Sequence, residues 1–100
     1  MKQGKTPVNE QDSAETLALK ALTWLIAQPE EFSAFQVASG ANPSDLASLA
    51  QAPAFLGAVL DFVLESDARV MAFCEAHAIG YDAPMRARAV LAGPAGMNWT

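Results

Sequence analysis

Cysteine and histidine are almost absent from this 100-residue sequence, which has one of each, Cys74 and His77. A lone cysteine cannot form an intramolecular disulfide, and the sequence lacks the paired cysteine and histidine spacings of a structural zinc site. We therefore expect no disulfide, no metal and no cofactor. The cysteine content is typical of a reducing compartment.

Long hydrophobic runs are also missing. The most apolar stretch, residues 54–64, is interrupted by Asp61, and it is about half of the roughly 20 residues that a transmembrane helix needs. The first ten residues carry lysines but no apolar segment behind them, so they do not form a secretory signal. The sequence thus predicts a cytoplasmic protein with no membrane association.

Positive charge is scarce as well, since six basic residues stand against eleven acidic ones and the formal net charge is −5. From residue 8 onward only Lys20, Arg69, Arg86 and Arg88 remain on the basic side. Nucleic-acid-binding proteins gain most of their non-specific affinity by neutralising phosphates with such residues. We therefore expect no nucleic-acid partner, and we expect the arginines to pair with the acidic excess.

What the sequence has instead is an apolar pattern of helical spacing, divided by prolines, glycines and capping residues. Alternating apolar runs typical of strands are absent. The pattern predicts six short helices in an all-α fold. The first helix is predicted over 13–27, after a capping box at Asp12 and Glu15, and the second runs from Pro29 to Gly40. The third runs from Asn42 to about Gln51, and the fourth starts at Pro53. The fifth runs from Ser66 or Asp67 to Gly80, and the sixth covers 83–92 after Asp82.

The apolar pattern of residues 14–38 recurs 38 positions later. Two glycine stops, Gly40 and Gly80, recur at an offset of 40. The matched positions are Leu17, Leu22, Trp24, Leu25, Ile26, Phe32 and Phe35 with Phe55, Leu60, Phe62, Val63, Leu64, Val70 and Phe73. We predict a compact bundle of two pseudo-repeated three-helix units that face each other around a buried helix 4. Gly57 within that helix is expected to allow close approach of a neighbouring helix.

The predicted organisation is a single helical domain over residues 12–93. Residues 1–11 are expected to form a flexible leader. The Gly93-Pro94-Ala95-Gly96 segment is expected to end the last helix, which leaves residues 94–100 as a flexible or docked tail.

Two constellations could carry chemistry. Cys74 and His77 lie three residues apart on predicted helix 5, a spacing that suits either metal ligands or a nucleophile and its base. We favour core packing for both, because no further cysteine or histidine completes a site. Asp61 and Glu65 share a helix face as paired carboxylates do. For Asp61 we favour a structural role, as the acceptor of a hydrogen bond from a nearby helix N-terminus.

The strings Ala18 to Leu25, Gly40 to Leu46 and Phe55 to Leu64 together resemble a domain-of-unknown-function family of short helical proteins found in alphaproteobacteria. The resemblance covers about residues 13–92. It implies a bacterial cytoplasmic helical domain and brings no established activity, cofactor or catalytic residue.

The function that these observations favour is a non-catalytic, acidic module that binds another protein or a second copy of itself, rather than an enzyme. Its expected site is the groove between the two three-helix units, which could receive a second copy or an amphipathic helix. The expected contact residues are Phe32, Phe35, Met85, Met97 and Trp99. The alternatives are a metal-dependent or thiol enzyme centred on Cys74 and His77, and a regulator that resembles a helix-turn-helix protein and binds nucleic acid through Arg86 and Arg88.

Overall fold

The fold is all-α in the computed structural model of the protein, which describes the backbone of residues 10–98 and the side chains of residues 10–92. No strand occurs within that part of the chain. The predicted leader and the end of the tail lie mostly outside the described residues. The helices are α1 (Glu10–Ile26), α2 (Pro29–Ser39), α3 (Leu46–Leu49), α4 (Pro53–Leu64), α5 (Asp67–His77) and α6 (Ala83–Asn98), with a 3-10 turn at Pro43–Asp45 before α3.

Most helix boundaries follow the local signals. Pro29 and Pro53 occupy the first turns of α2 and α4, where a proline removes no helical hydrogen bond. Asn42 accepts a hydrogen bond from the backbone N–H of Ser44 at 3.1 Å. The Ser66 hydroxyl accepts one from the N–H of Arg69 at 3.3 Å and so caps α5. These four predicted starts are confirmed.

Helix α1 begins at Glu10, three residues before its predicted start. Asp12 therefore lies inside the first turn and not at the N-cap position that the predicted capping box with Glu15 requires. The Glu15 carboxylate instead accepts a hydrogen bond from the side-chain amide of Gln11 at 2.7 Å. The acidic first turn still favours the helix, because carboxylates interact favourably with the positive end of the helix dipole.

The end of α5 differs from the prediction. Gly40 ends α2 in the left-handed conformation with φ 72°, as expected. The left-handed residue after α5 is instead Ala78, with φ 56°, two positions before the predicted stop at Gly80. A side chain in this region is unfavourable by about 1–2 kcal/mol, a cost that sequence patterns do not reveal.

Replacing Ala78 with glycine is expected to raise the free energy of unfolding by about 0.5–1 kcal/mol, because glycine adopts this conformation without strain. The gain is smaller than the strain itself because glycine also makes the unfolded chain more flexible. Gly40→Ala is the matched control and should lower stability by a similar amount. Urea unfolding of the two variants measures both effects, and a destabilised Ala78→Gly variant would contradict the assignment of strain.

Helix α6 starts after Asp82 as predicted but continues to Asn98. The Gly93-Pro94-Ala95-Gly96 segment therefore does not end the helix, contrary to the prediction. The first part of α6 already packs on α1 and α4. Extending a helix that is fixed in this way needs no new nucleation, which is the costly step in helix formation.

The core lies where α1, α4 and α6 pack against one another, with α2 packed on α1 and α4 and with α5 packed on α4. Helix α4 is the central element, as predicted, and its Val59, Leu60 and Val63 are completely buried. Gly57 packs against Arg88 of α6. A Cβ atom on Gly57 would lie 3.5 Å from the Arg88 Cζ, which is ordinary van der Waals contact. A Cβ atom would therefore fit at residue 57, so the close approach of α6 does not require a glycine there, contrary to the expectation.

The two halves of the chain face each other with approximate two-fold symmetry. Trp24 contacts Phe73 with ring centroids 5.9 Å apart, and the equivalent residues Phe62 and Phe35 contact each other at 5.4 Å. Glu31 binds its own equivalent, Arg69, at 2.8 Å. A residue that contacts its own equivalent lies close to the two-fold axis. The predicted repeat thus corresponds to related packing in three dimensions.

The symmetry ends at the third helix of each unit. Helix α6 has 16 residues and packs extensively on both α1 and α4, whereas α3 has four and has no comparable contact with either. The turn that replaces most of the predicted helix 3 begins at Pro43.

Candidate functional site

An open groove runs between α1 and α6 and encloses about 530 Å³. It lies at the boundary between the two units, where the sequence predicts a binding groove. Its lining combines small and apolar side chains with one acidic and one basic residue. The lining residues are Glu10, Ser13, Ala14, Leu17, Ala83, Arg86, Ala87, Ala89 and Val90.

The groove owes its shape to alanines on the facing sides of the two helices. Ala14 of α1 and Ala87 of α6 are buried. Ser13 and Ala89 also line the groove and are exposed to solvent. Because none of these side chains extends far from the backbone, another helix could approach α1 and α6 closely, whereas larger residues would fill the space.

A smaller cleft of about 180 Å³ lies between α2 and α4 and is lined by both predicted carboxylates, Asp61 and Glu65. Asp61 is exposed and accepts a hydrogen bond from the Arg88 Nε at 2.6 Å. This corrects the prediction that a helix N-terminus is its partner. Glu65 lies 3.9 Å from Arg69. Each carboxylate thus already lies close to an arginine: Asp61 links α4 to α6, and Glu65 lies at the junction of α4 and α5.

Cys74 and His77 do not form a joint site. Cys74 is completely buried in the core. Burial, together with the negative charges of Asp82 and Glu75, raises the pKa of its thiol above the ordinary value, so the thiol stays protonated and poorly nucleophilic at neutral pH. The His77 ring packs on Phe73 at 4.8 Å, and its Nδ1 donates to the Phe73 carbonyl at 3.2 Å.

The three arginines pair with carboxylates, as predicted. Arg69 contacts Glu31 and Arg88 contacts Asp61 across the bundle, while Arg86 lies 3.4 Å from Asp82, the residue that precedes α6. A surface on which the arginines are already neutralised offers few contacts to phosphate. Tyr81 lies in the turn before α6, and its hydroxyl donates a hydrogen bond to Glu75 at 2.6 Å. This bond raises the pKa of Tyr81.

The residues expected to contact a partner are dispersed. Phe35 lies in the core with 1% of its surface exposed, so it cannot serve as a contact residue. Its equivalent in the repeat, Phe73, is buried as well. Phe32 is half-buried and packs against the same core. Met85 is 65% exposed on α6 beside Arg86, but it does not line the groove. The Met97 side chain and Trp99 lie outside the described residues.

The groove residues themselves were missed because alanine gives almost no sequence signal for a binding surface. Leu17 was identified only as one of the repeated apolar positions, and it lies partly buried at the groove. Ala14, Ala87 and Val90 carried no functional assignment. The one available signal was the repeat, which places a groove between two facing units.

Within residues 10–98 we find no group of three or more side chains able to hold a metal ion together. In the same part of the chain, no single helix is long and apolar enough to cross a bilayer. The segments Pro43–Leu49 and Pro53–Leu64 reach that length and apolarity only in combination, and they are bent by 116° relative to each other.

No curated protein matches the chain. No solved structure matches it either. A family model described as "Protein of unknown function (DUF3572)" matches residues 11–94, which include all six helices except the outermost ends of α1 and α6. The chain therefore belongs to the DUF3572 family.

Proposed function

We propose that this protein is a non-catalytic cytoplasmic module that binds a helix of another protein in the groove between α1 and α6. The observation that carries the proposal is the open, alanine-lined groove of about 530 Å³ at the boundary between the units. Recognition of this kind places the apolar face of an amphipathic helix into a groove.

The dimensions of the groove support a helical ligand. Helices pack with axes 8–10 Å apart, and the closest approach requires small side chains at the contact. Ala14, Ala87 and Ala89 provide such a surface, and Leu17 and Val90 add apolar contact area. Glu10 and Arg86 give the groove one charge of each sign, which can fix the direction of a bound helix.

The charge of the protein favours a different protein over a second copy as the ligand. Four basic side chains stand against eleven acidic ones from residue 8 onward, so two copies repel each other. A ligand with basic residues is attracted instead, and this attraction raises the association rate. A homodimer is the competing outcome in the experiment below.

The test is crosslinking capture from native cells, followed by affinity measurement with the purified partner and two variants. Ala89→Lys places a bulky positive charge in the groove, and Ala72→Lys places the same side chain on an exposed position of α5. We expect Ala89→Lys to weaken binding of a basic ligand at least tenfold, about 1.4 kcal/mol, while Ala72→Lys changes it less than twofold.

Two results would overturn the proposal. Equal affinity of both variants for the partner would show that the groove is not the site. Light scattering that finds a dimer in the unmodified protein and a monomer in Ala89→Lys would show that a second copy occupies the groove.

A further inference from the structure

Two charged residues of opposite sign lie along the side of α1 that borders the α1/α6 groove. Glu10 lines the groove at the start of the helix. Lys20 lies two turns beyond Ser13, another residue of the groove, and is therefore on the same side of α1. Both charged side chains are exposed, and their separation along the helix is about 15 Å. This side of α1 is thus negative at one end and positive toward the other.

Neither of these two charges is neutralised within the part of the chain whose side chains are described. The ion pairs among residues 10–92 all involve one of three arginines, Arg69, Arg86 or Arg88. Over the same residues, Glu10 and Lys20 make no hydrogen bond through their side chains. An exposed charge that has no partner within the protein is free to pair with a ligand. Two such charges of opposite sign fix the register and the direction of that ligand.

The helix dipole indicates which direction is favoured. A helix is stabilised by carboxylates near its N-terminus and by cations near its C-terminus, because the dipole is positive at the first end and negative at the second. A ligand helix with this distribution of charge meets Lys20 with its acidic end and Glu10 with its basic end only when it runs antiparallel to α1. In that orientation the dipoles of the two helices also oppose each other, which is the favourable arrangement for neighbours.

We propose that the α1/α6 groove selects a bipolar helix of another protein, one with a carboxylate in its first turn and a cation about ten residues later. It runs antiparallel to α1, with the carboxylate against Lys20 and the cation against Glu10. Between these contacts it presents small or apolar side chains to Leu17 and Ala89. The inference rests on the proposed function and specifies its ligand. The α1 helix of a second copy has the same order of charges, but a net charge of −5 on each copy opposes their association.

The test uses two designed peptides that differ only in the order of their charges. Each has blocked ends, a hydrocarbon cross-link that keeps it helical, and the same face of leucine and alanine over roughly 14 residues, about 21 Å. The first peptide has glutamate in its first turn and lysine about ten residues later, and the second has the two exchanged. Fluorescence anisotropy measures binding at low salt, where ion pairs are least screened. We expect the first peptide to bind the unmodified protein at least threefold more tightly.

Exchanging the two charges of the protein is the decisive variant. Glu10→Lys combined with Lys20→Glu leaves the net charge unchanged, and we expect it to invert the preference, so that the second peptide binds at least threefold more tightly. Glu10→Gln alone should reduce the preference to less than twofold. Glu30→Gln is its matched control, because Glu30 is an exposed glutamate in the first turn of α2, and it should leave the preference unchanged. Circular dichroism establishes that each variant is folded.

Four results would overturn this inference. Equal affinity of the two peptides, with both lost in Ala89→Lys, would show that the groove accepts a helix in either direction, and it would leave the proposed function intact. An unchanged preference in the charge-exchanged variant would show that Glu10 and Lys20 do not set the direction. A dimer of the unmodified protein that dissociates in Glu10→Gln would assign the two charges to a second copy. The absence of binding of either peptide at millimolar concentration would contradict the proposed function as well.

Discussion

Replacing either Phe35 or Phe73 with alanine is expected to lower the free energy of unfolding by about 3–5 kcal/mol, a large part of the stability of a domain of this size. Both rings are buried, with at most 1% of their surface exposed. They occupy equivalent positions in the two halves, and each contacts the other half's aromatic residue, Phe62 or Trp24. Truncation therefore leaves a cavity and removes an aromatic contact at both sites.

Urea unfolding measures the two losses, and Val37→Ala provides the control. Val37 is apolar but 87% exposed, so its truncation should change stability by no more than about 0.5 kcal/mol. The approximate symmetry predicts losses of similar size at the two phenylalanines. A large loss at one and almost none at the other would show that the halves do not contribute equally to a shared core.

Arg69→Ala is expected to have the second largest effect, a loss of about 2–3 kcal/mol. The guanidinium binds Glu31 at 2.8 Å and the Phe62 carbonyl at 3.1 Å, and it lies 3.9 Å from the centre of the Phe62 ring. Its side chain is only 19% exposed. Hydrogen bonds of charged groups contribute about 1.5–3 kcal/mol, and a partly desolvated cation over a ring adds to this.

Arg86→Ala is the matched control for Arg69. The Arg86 side chain is 79% exposed and its contact with Asp82 is long, at 3.4 Å, so its loss should cost less than about 0.5 kcal/mol. Arg69→Lys should recover only part of the stability, because an ammonium group cannot reproduce the planar contacts of guanidinium. Thermal and urea unfolding test both expectations. Equal effects of the two alanine variants would contradict the central role of Arg69.

The position of Arg69 also explains why the two halves stay aligned. A cation on α5 that binds α2 and the end of α4 joins three helices close to the two-fold axis. The α1/α6 groove is lined by nine residues, of which four are alanines, so the two regions differ in character. Variants of Ala89 or Ser13 in the groove can therefore change binding while the Phe35 and Phe73 core remains intact.

Local sequence signals determined most of the helices. Proline in a first turn, Asn42 and Ser66 as caps and Gly40 as a stop act within a few residues, so their effects are visible without the fold. The end of α6 was misjudged because Pro94 and Gly93 are breakers only where nothing else holds the helix. Ala78 was missed because its left-handed conformation arises from how α5 connects to α6, and alanine has no preference for it.

The sequence by itself determined that this protein is a helical bundle, that its two halves are related and that α4 is central, because apolar spacing and its recurrence are properties of the chain. Only the tertiary structure decided that Arg88 binds Asp61, that Arg69 lies near the two-fold axis and that alanines form the groove. These features join residues that are far apart in the chain. Their pairing depends on how helices pack, and a small side chain acquires its role only from the neighbours that packing gives it.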